Sequence, residues 1–111
     1  MSPAAFAKLA LALEGTVQGS HHGTTDFRTG GKIFATMGYP DAKHAMVKLT
    51  PDQQRLLVEA EPAMFVPVKG GWGLRGATNL RLKAADPATA RSVLAMAWQN
   101  VGMLGRKPGK R

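Results

Sequence analysis

The chain contains no cysteine, so neither a disulfide frame nor a thiolate metal site is available to it. Carboxylates are scarce. Seven Asp and Glu stand against fifteen Lys and Arg, giving a formal charge of +8 and an isoelectric point near 10.5. Simple structural duties account for six of those seven. Asp52 and Asp86 sit at helix starts, Asp41 lies in the Tyr39-Pro40-Asp41 turn, and Glu59 and Glu61 fall where a helix ends. Asp26 reads as the partner of a nearby base, and Glu14 stands alone. No serine has a base at useful spacing, so the expectation is a protein that is not an enzyme. Histidine is confined to His21, His22 and His44. Adjacent strand residues point to opposite faces, so the His21-His22 pair does not chelate one metal, and no metal is expected. A long apolar run is missing too. Ala4 to Leu13 carries Lys8, lacks a basic leader and runs into Glu14-Gly15. It falls well short of the roughly 20 residues that span a bilayer. A cytoplasmic protein without membrane attachment is the expectation.

What is present fits one small domain over residues 1–105, followed by a basic, unstructured tail at 106–111 that holds Arg106, Lys107, Lys110 and Arg111. Three helices are marked by a capping residue followed by proline, which loses nothing at the first helical position. Ser2-Pro3 opens the first, with Phe6, Leu9, Ala10 and Leu13 on one face. Thr50-Pro51-Asp52-Gln53 is a capping box, with Leu56, Leu57 and Ala60 inward. Asp86-Pro87 opens the last, where Ala90, Val93, Leu94, Ala97, Trp98 and Val101 recur at helical spacing. Strands are expected at Thr16 to Ser20, in two hairpin arms, at His44 to Leu49, at Met64 to Val66 and at Ala77 to Lys83. Hairpin-linked strands flanked by helices predict an α+β fold, a two-layer sandwich of an antiparallel sheet with helices on one face.

The most informative stretch is Asp26-Phe27-Arg28-Thr29-Gly30-Gly31-Lys32-Ile33-Phe34-Ala35-Thr36. Two glycines supply the positive φ of a type I′ turn, which places Thr29 opposite Lys32, Arg28 opposite Ile33 and Phe27 opposite Phe34. Arg28 and Lys32 then sit near the tip, as on a basic wing. Phe27 and Phe34 fall on one face and Ile33, Ala35 and Met37 on the other, so either face is apolar enough to be buried.

Phe27-Arg28-x-Gly30-Gly31-Lys32-x-Phe34-Ala35 resembles the signature hairpin of the MmcQ/YjbR proteins, small bacterial domains described as double-wing DNA-binding proteins. The resemblance runs from about Phe6 to Trp98. It includes Gly19-Ser20-His21-His22-Gly23, Ala45-Met46-Val47-Lys48-Leu49 and Gly71-Trp72-Gly73-x-x-Gly76, with Ala77-Thr78-Asn79 in place of the Trp-Thr pair common after the last glycine. It implies a frataxin-like (CyaY-like) architecture. Frataxins handle iron through acidic residues along the first helix; here that helix offers only Glu14, and no cofactor is expected.

A second candidate wing is Val68-Lys69-Gly70-Gly71-Trp72-Gly73-Leu74-Arg75-Gly76. Successive glycines let backbone N–H groups cup an anion, and cations around a tryptophan suit phosphate neutralisation with base stacking. The packing alternative is that Trp72 plugs the end of the core. Gly71-x-Gly73-x-x-Gly76 also matches a dinucleotide fingerprint, but a strand follows it where a helix is required. The functional expectation is a nucleic-acid-binding module, DNA foremost, with weak sequence specificity, acting as a monomer or weak dimer. Arg28, Lys32, Lys69, Trp72 and Arg75 form its contacts, and Lys48 and Arg81 widen the basic field. The alternative is an interaction domain for an acidic protein partner.

Overall fold

The computed structural model describes residues 1–105. The elements run α1 (Pro3–Leu11), β1 (Val17–His21), β2 (Thr24–Thr29), β3 (Lys32–Met37), β4 (His44–Lys48), α2 (Pro51–Ala60), β5 (Phe65–Pro67), α3 (Gly71–Leu74), β6 (Ala77–Arg81) and α4 (Pro87–Gly105). A 3-10 turn at Leu82–Ala84 links the last two. The basic tail expected at 106–111 lies outside the described residues.

Each proline-led helix begins where its capping residue dictates. Ser2 Oγ accepts the Ala5 N–H at 3.1 Å, and Asp86 accepts the Thr89 N–H at 3.0 Å. The capping box closes both ways, Thr50 Oγ1 accepting from Gln53 N–H at 3.1 Å and Gln53 Oε1 from Thr50 N–H at 2.9 Å. The apolar stripes of α1 and α4 face the sheet: Phe6, Ala10, Ala90, Val93, Leu94 and Ala97 are fully or almost fully buried. The stripe expected on α2 is displaced. Leu57 and Val58 lean on the core, while Leu56 is 63% exposed and Ala60 is exposed. That helix covers only the narrow β5–β6 margin, so it has little surface to bury.

The six strands form one antiparallel sheet in the order β1-β2-β3-β4-β6-β5. Strand β6 is shorter than its alternating pattern predicts. After Arg81 the chain turns toward α4, yet Leu82 N–H still donates to Lys43 O at 3.0 Å and its side chain stays buried.

The central hairpin turns at Gly30 and Gly31, whose φ angles of 59° and 80° are those of the expected tight turn. Thr29 faces Lys32 and Arg28 faces Ile33, as the sequence predicts. The third pair differs: Phe27 lies opposite Ala35, because a bulge makes Phe34 an extra residue in β3. A bulge points two successive side chains the same way. Phe27, Phe34 and Ala35 consequently all enter the core, with Phe6 edge-on to Phe27 at 6.3 Å. The other face carries a row formed by Gly19, Asp26, Thr36, Met46 and Asn79, successive partners across β1, β2, β3, β4 and β6.

Two glycines allow the α3 segment to seat closely. A Cβ on Gly73 would stand 1.6 Å from Val68 O, and one on Gly76, whose φ is +113°, 1.9 Å from Leu49 O. Both obstacles are backbone and do not yield as a flexible side chain would. Gly76→Ala is therefore expected to lower stability by about 3 kcal/mol or more, as measured by urea denaturation.

Candidate functional site

The face of the sheet turned away from α1 is rich in cations. Its first element is an ion-pair cluster on β1 and β2. Asp26, its side chain fully buried, accepts from Arg28 Nε at 2.8 Å and Nη2 at 3.2 Å, while His21 Nδ1 lies 2.8 Å from its other oxygen. Hydrogen bonding by Arg28 holds the Asp26 carboxyl below its ordinary value against the opposing effect of burial, and His21 assists. Space for the pair comes from Gly19 on the neighbouring strand. A Cβ there would lie 3.1 Å from Asp26 Oδ1 and 3.6 Å from Arg28 Nε. The Gly-Ser-His-His-Gly segment thus serves the cluster in two ways, with a gap and with an imidazole.

The second element is Trp72 and its surroundings. Segment 68–76 does not extend as a wing. It winds into the single turn of α3, in which Leu74, Arg75 and Gly76 N–H groups bond to Gly70, Gly71 and Gly73 carbonyls at 3.0–3.1 Å. Those donors are spent inside the turn and do not cup an anion. Gln54 of α2 straps the turn down, its Nε2 lying 3.0 Å from Gly73 O, 3.0 Å from Ala77 O and 3.2 Å from Thr78 Oγ1. Trp72 does not plug the core: it is 54% exposed. Lys48 Nζ sits 4.8 Å from the centre of its ring. The Lys48 backbone is anchored in turn, its carbonyl accepting from Asn100 Nδ2 of α4 at 3.0 Å.

Trp72 and Lys48 border two adjoining hollows. One, of about 350 Å³, has Ile33, Met46, Val68 and Ala77 in its lining, with Tyr39, His21, His22 and Lys69 around them. The other, of about 500 Å³, includes Arg75, Asn100 and Leu49. Neither lining contains a carboxylate. Burial pushes the Lys48 ammonium below the ordinary lysine range, and repulsion from Lys32 and Arg75 adds to the shift.

The seven residues singled out by sequence therefore divide. Lys48, Lys69, Trp72 and Arg75 line the two hollows, Lys32 lies close enough to Lys48 to repel it, and among the described residues none of these four cations has a carboxylate partner. Arg28 is committed to Asp26, and Arg81 Nη1 donates to the Pro62 and Ala63 carbonyls at 3.1 Å each, which fastens the end of α2 to β6. Tyr39, Gln54 and Asn100 join the site without a local signal in the sequence, because their neighbours there include residues far along the chain. Among the described residues no group of three His, Cys, Asp or Glu is placed to hold a metal ion, and no helix is long and apolar enough to cross a membrane.

Charge is unevenly shared between the layers. The strands, their loops and α3 carry Arg28, Lys32, Lys43, Lys48, Lys69, Arg75 and Arg81 against Asp26 and Asp41. The other helices, with their flanks and the 3-10 turn, carry Lys8, Arg55, Lys83 and Arg91 against Glu14, Asp52, Glu59, Glu61 and Asp86. The excess positive charge of the described residues thus belongs to the sheet layer.

Removing the buried carboxylate by Asp26→Ala is expected to lower the melting temperature by about 5 °C or more. Arg28→Gln lowers it as well, whereas Lys69→Gln leaves it within about 2 °C. Because the folded Asp26 carboxyl is held below its ordinary 3.8, its stabilisation is complete above that pH and is lost as pH falls further. The stability gap between the parent and Asp26→Asn should accordingly narrow below pH 3.8 in denaturation measured across acid pH.

Comparison with known proteins agrees with this architecture. Among solved structures, the crystal structure of Deinococcus radiodurans protein DR2400, domain DUF419, matches with a TM-score of 0.81. The two are 13% identical, and the match covers 99% of this chain and 85% of that one. At such identity the likeness is one of fold alone. No curated protein matches the chain. The YjbR family model matches residues 11–100, which takes in every strand, α2, α3 and most of α4. The chain belongs to the YjbR family.

Proposed function

We propose that this YjbR chain is a nucleic-acid-binding module, DNA foremost, that neutralises phosphates with Lys32, Lys48, Lys69 and Arg75 and has little sequence preference. The observation that carries this reading is that Lys48, Lys69 and Arg75 share hollows with an exposed tryptophan, with Lys32 near Lys48 and no carboxylate in either lining. Burial disfavours the Lys48 ammonium in the free protein, and repulsion from Lys32 and Arg75 adds to that. A polyanion relieves that repulsion and releases its own counterions in the same step. Weak specificity follows from what the surface lacks: among the described residues no protruding helix is available to read base edges in a groove.

A binding role without chemistry of its own fits the carboxylates. Asp26 is tied to Arg28 and His21, Asp41 to His44 and the Lys43 N–H, Asp52 to Arg55, and Asp86 to a helix start. None of them faces either hollow.

With about four phosphates neutralised, log K should fall with log salt at a slope near −3 to −4 in fluorescence-anisotropy titrations of the full chain. Lys32→Gln and Arg75→Gln should each flatten the slope by about one, while Arg81→Gln leaves it unchanged. Slopes indifferent to the first two substitutions would remove the site from this surface and leave an acidic protein as the partner to seek.

A further inference from the structure

We propose that the 350 Å³ hollow beside Trp72 receives one unpaired nucleobase, so that the chain selects single-stranded over duplex nucleic acid. This rests on the nucleic-acid reading above and assigns the strand type and the stacking partner. Trp72 borders both hollows, and more than half of its surface is exposed. Tyr39, 57% exposed, belongs to the same lining, and Ile33, Met46, Val68 and Ala77 are apolar members of it.

Those apolar members have nothing to offer a phosphate, which stays with Lys48 and Lys69 on the same lining. They suit the flat, weakly hydrated face of a base. In a duplex those faces are stacked against one another, and only base edges and phosphates reach a protein. Of the two strand types, the one with unpaired bases can fill the hollow. Stacking on an aromatic ring accepts any base, which agrees with the absence of an element that reads edges. Lys48 completes the arrangement: it touches the Trp72 ring and borders both hollows, so phosphates on either side of a stacked base come within its field. A peptide of acidic residues alone would satisfy the cations and leave the apolar lining unfilled.

The test is anisotropy titration of the full chain, at one ionic strength, with labelled oligothymidylate, an abasic oligonucleotide of equal length, and a duplex of equal length. Oligothymidylate should bind at least about fivefold more tightly than its abasic counterpart. Trp72→Leu should cancel that advantage without changing abasic affinity, and Trp72→Phe should keep most of it. Trp72 lies largely outside the core, and thermal melts of both variants establish that they fold. Equal affinity for abasic and thymidylate strands, or tighter binding of the duplex or of polyglutamate, overturns the base pocket. Salt-dependent binding of all the oligonucleotides in that case leaves the nucleic-acid reading standing. Failure of every oligonucleotide to bind removes both.

Discussion

One extra residue in β3 decides which side of this sheet is buried. Without the bulge, Phe27 would pair with Phe34, and strict alternation would leave Ala35 on the face with Ile33. With it, Phe27, Phe34 and Ala35 fall on the helix side as one continuous apolar surface under α1 and α4. Everything on the opposite face follows. Asp26, Arg28, Ile33, Thr36 and Met46 are turned away from α1 and become the base of the cation-rich surface. The local twist that accompanies a bulge also suits a sheet that curls rather than lies flat.

The cation-rich face meets the cost of burying charge in two different ways. At the β1–β2 end a carboxylate is buried, but it is neutralised on the spot by Arg28 and His21, with Gly19 leaving room for the pair. A buried carboxylate with both oxygens hydrogen-bonded supports the sheet without demanding a ligand. At the β4–α3 end the charges are of one sign. Lys48 is held near Lys32 and Arg75 by its place on β4 and by Asn100, and the Trp72 ring compensates only part of its lost hydration. The first cluster is self-contained. The second leaves an imbalance that an anion can correct, and the proposed division between structural and binding cations rests on it.

Rigidity around the second cluster comes from backbone contacts rather than from a large core. Gly73 and Gly76 let α3 press against Val68 and Leu49, and Gln54 ties the turn to β6 from the helix side. Trp72 can project into solvent because the turn that carries it is fastened on both sides. A surface aromatic presented from a braced turn loses little conformational freedom when it stacks on a ligand.

The sequence alone determined the strands, the three proline-led helices with their starts, and their order, α3 excepted. These depend on neighbours: a capping residue before a proline, two glycines in a tight turn, an alternating strand such as His44 to Leu49. It also determined the charge balance and the group of residues from which the site is drawn. Tertiary structure decided the rest. The bulge at Phe34 has no local mark, because Phe-Ala-Thr reads equally well in either register. Arg28 looks like a free wing cation until β2 places it beside Asp26, and Arg81 looks like an open-face base until the Pro62 and Ala63 carbonyls come within its reach. Trp72 reads as core or as surface until α3 forms and exposes it. Composition and spacing report what a residue can do nearby along the chain. Which charges are cancelled and which are left over depends on partners far away in sequence, and only the folded chain brings those together.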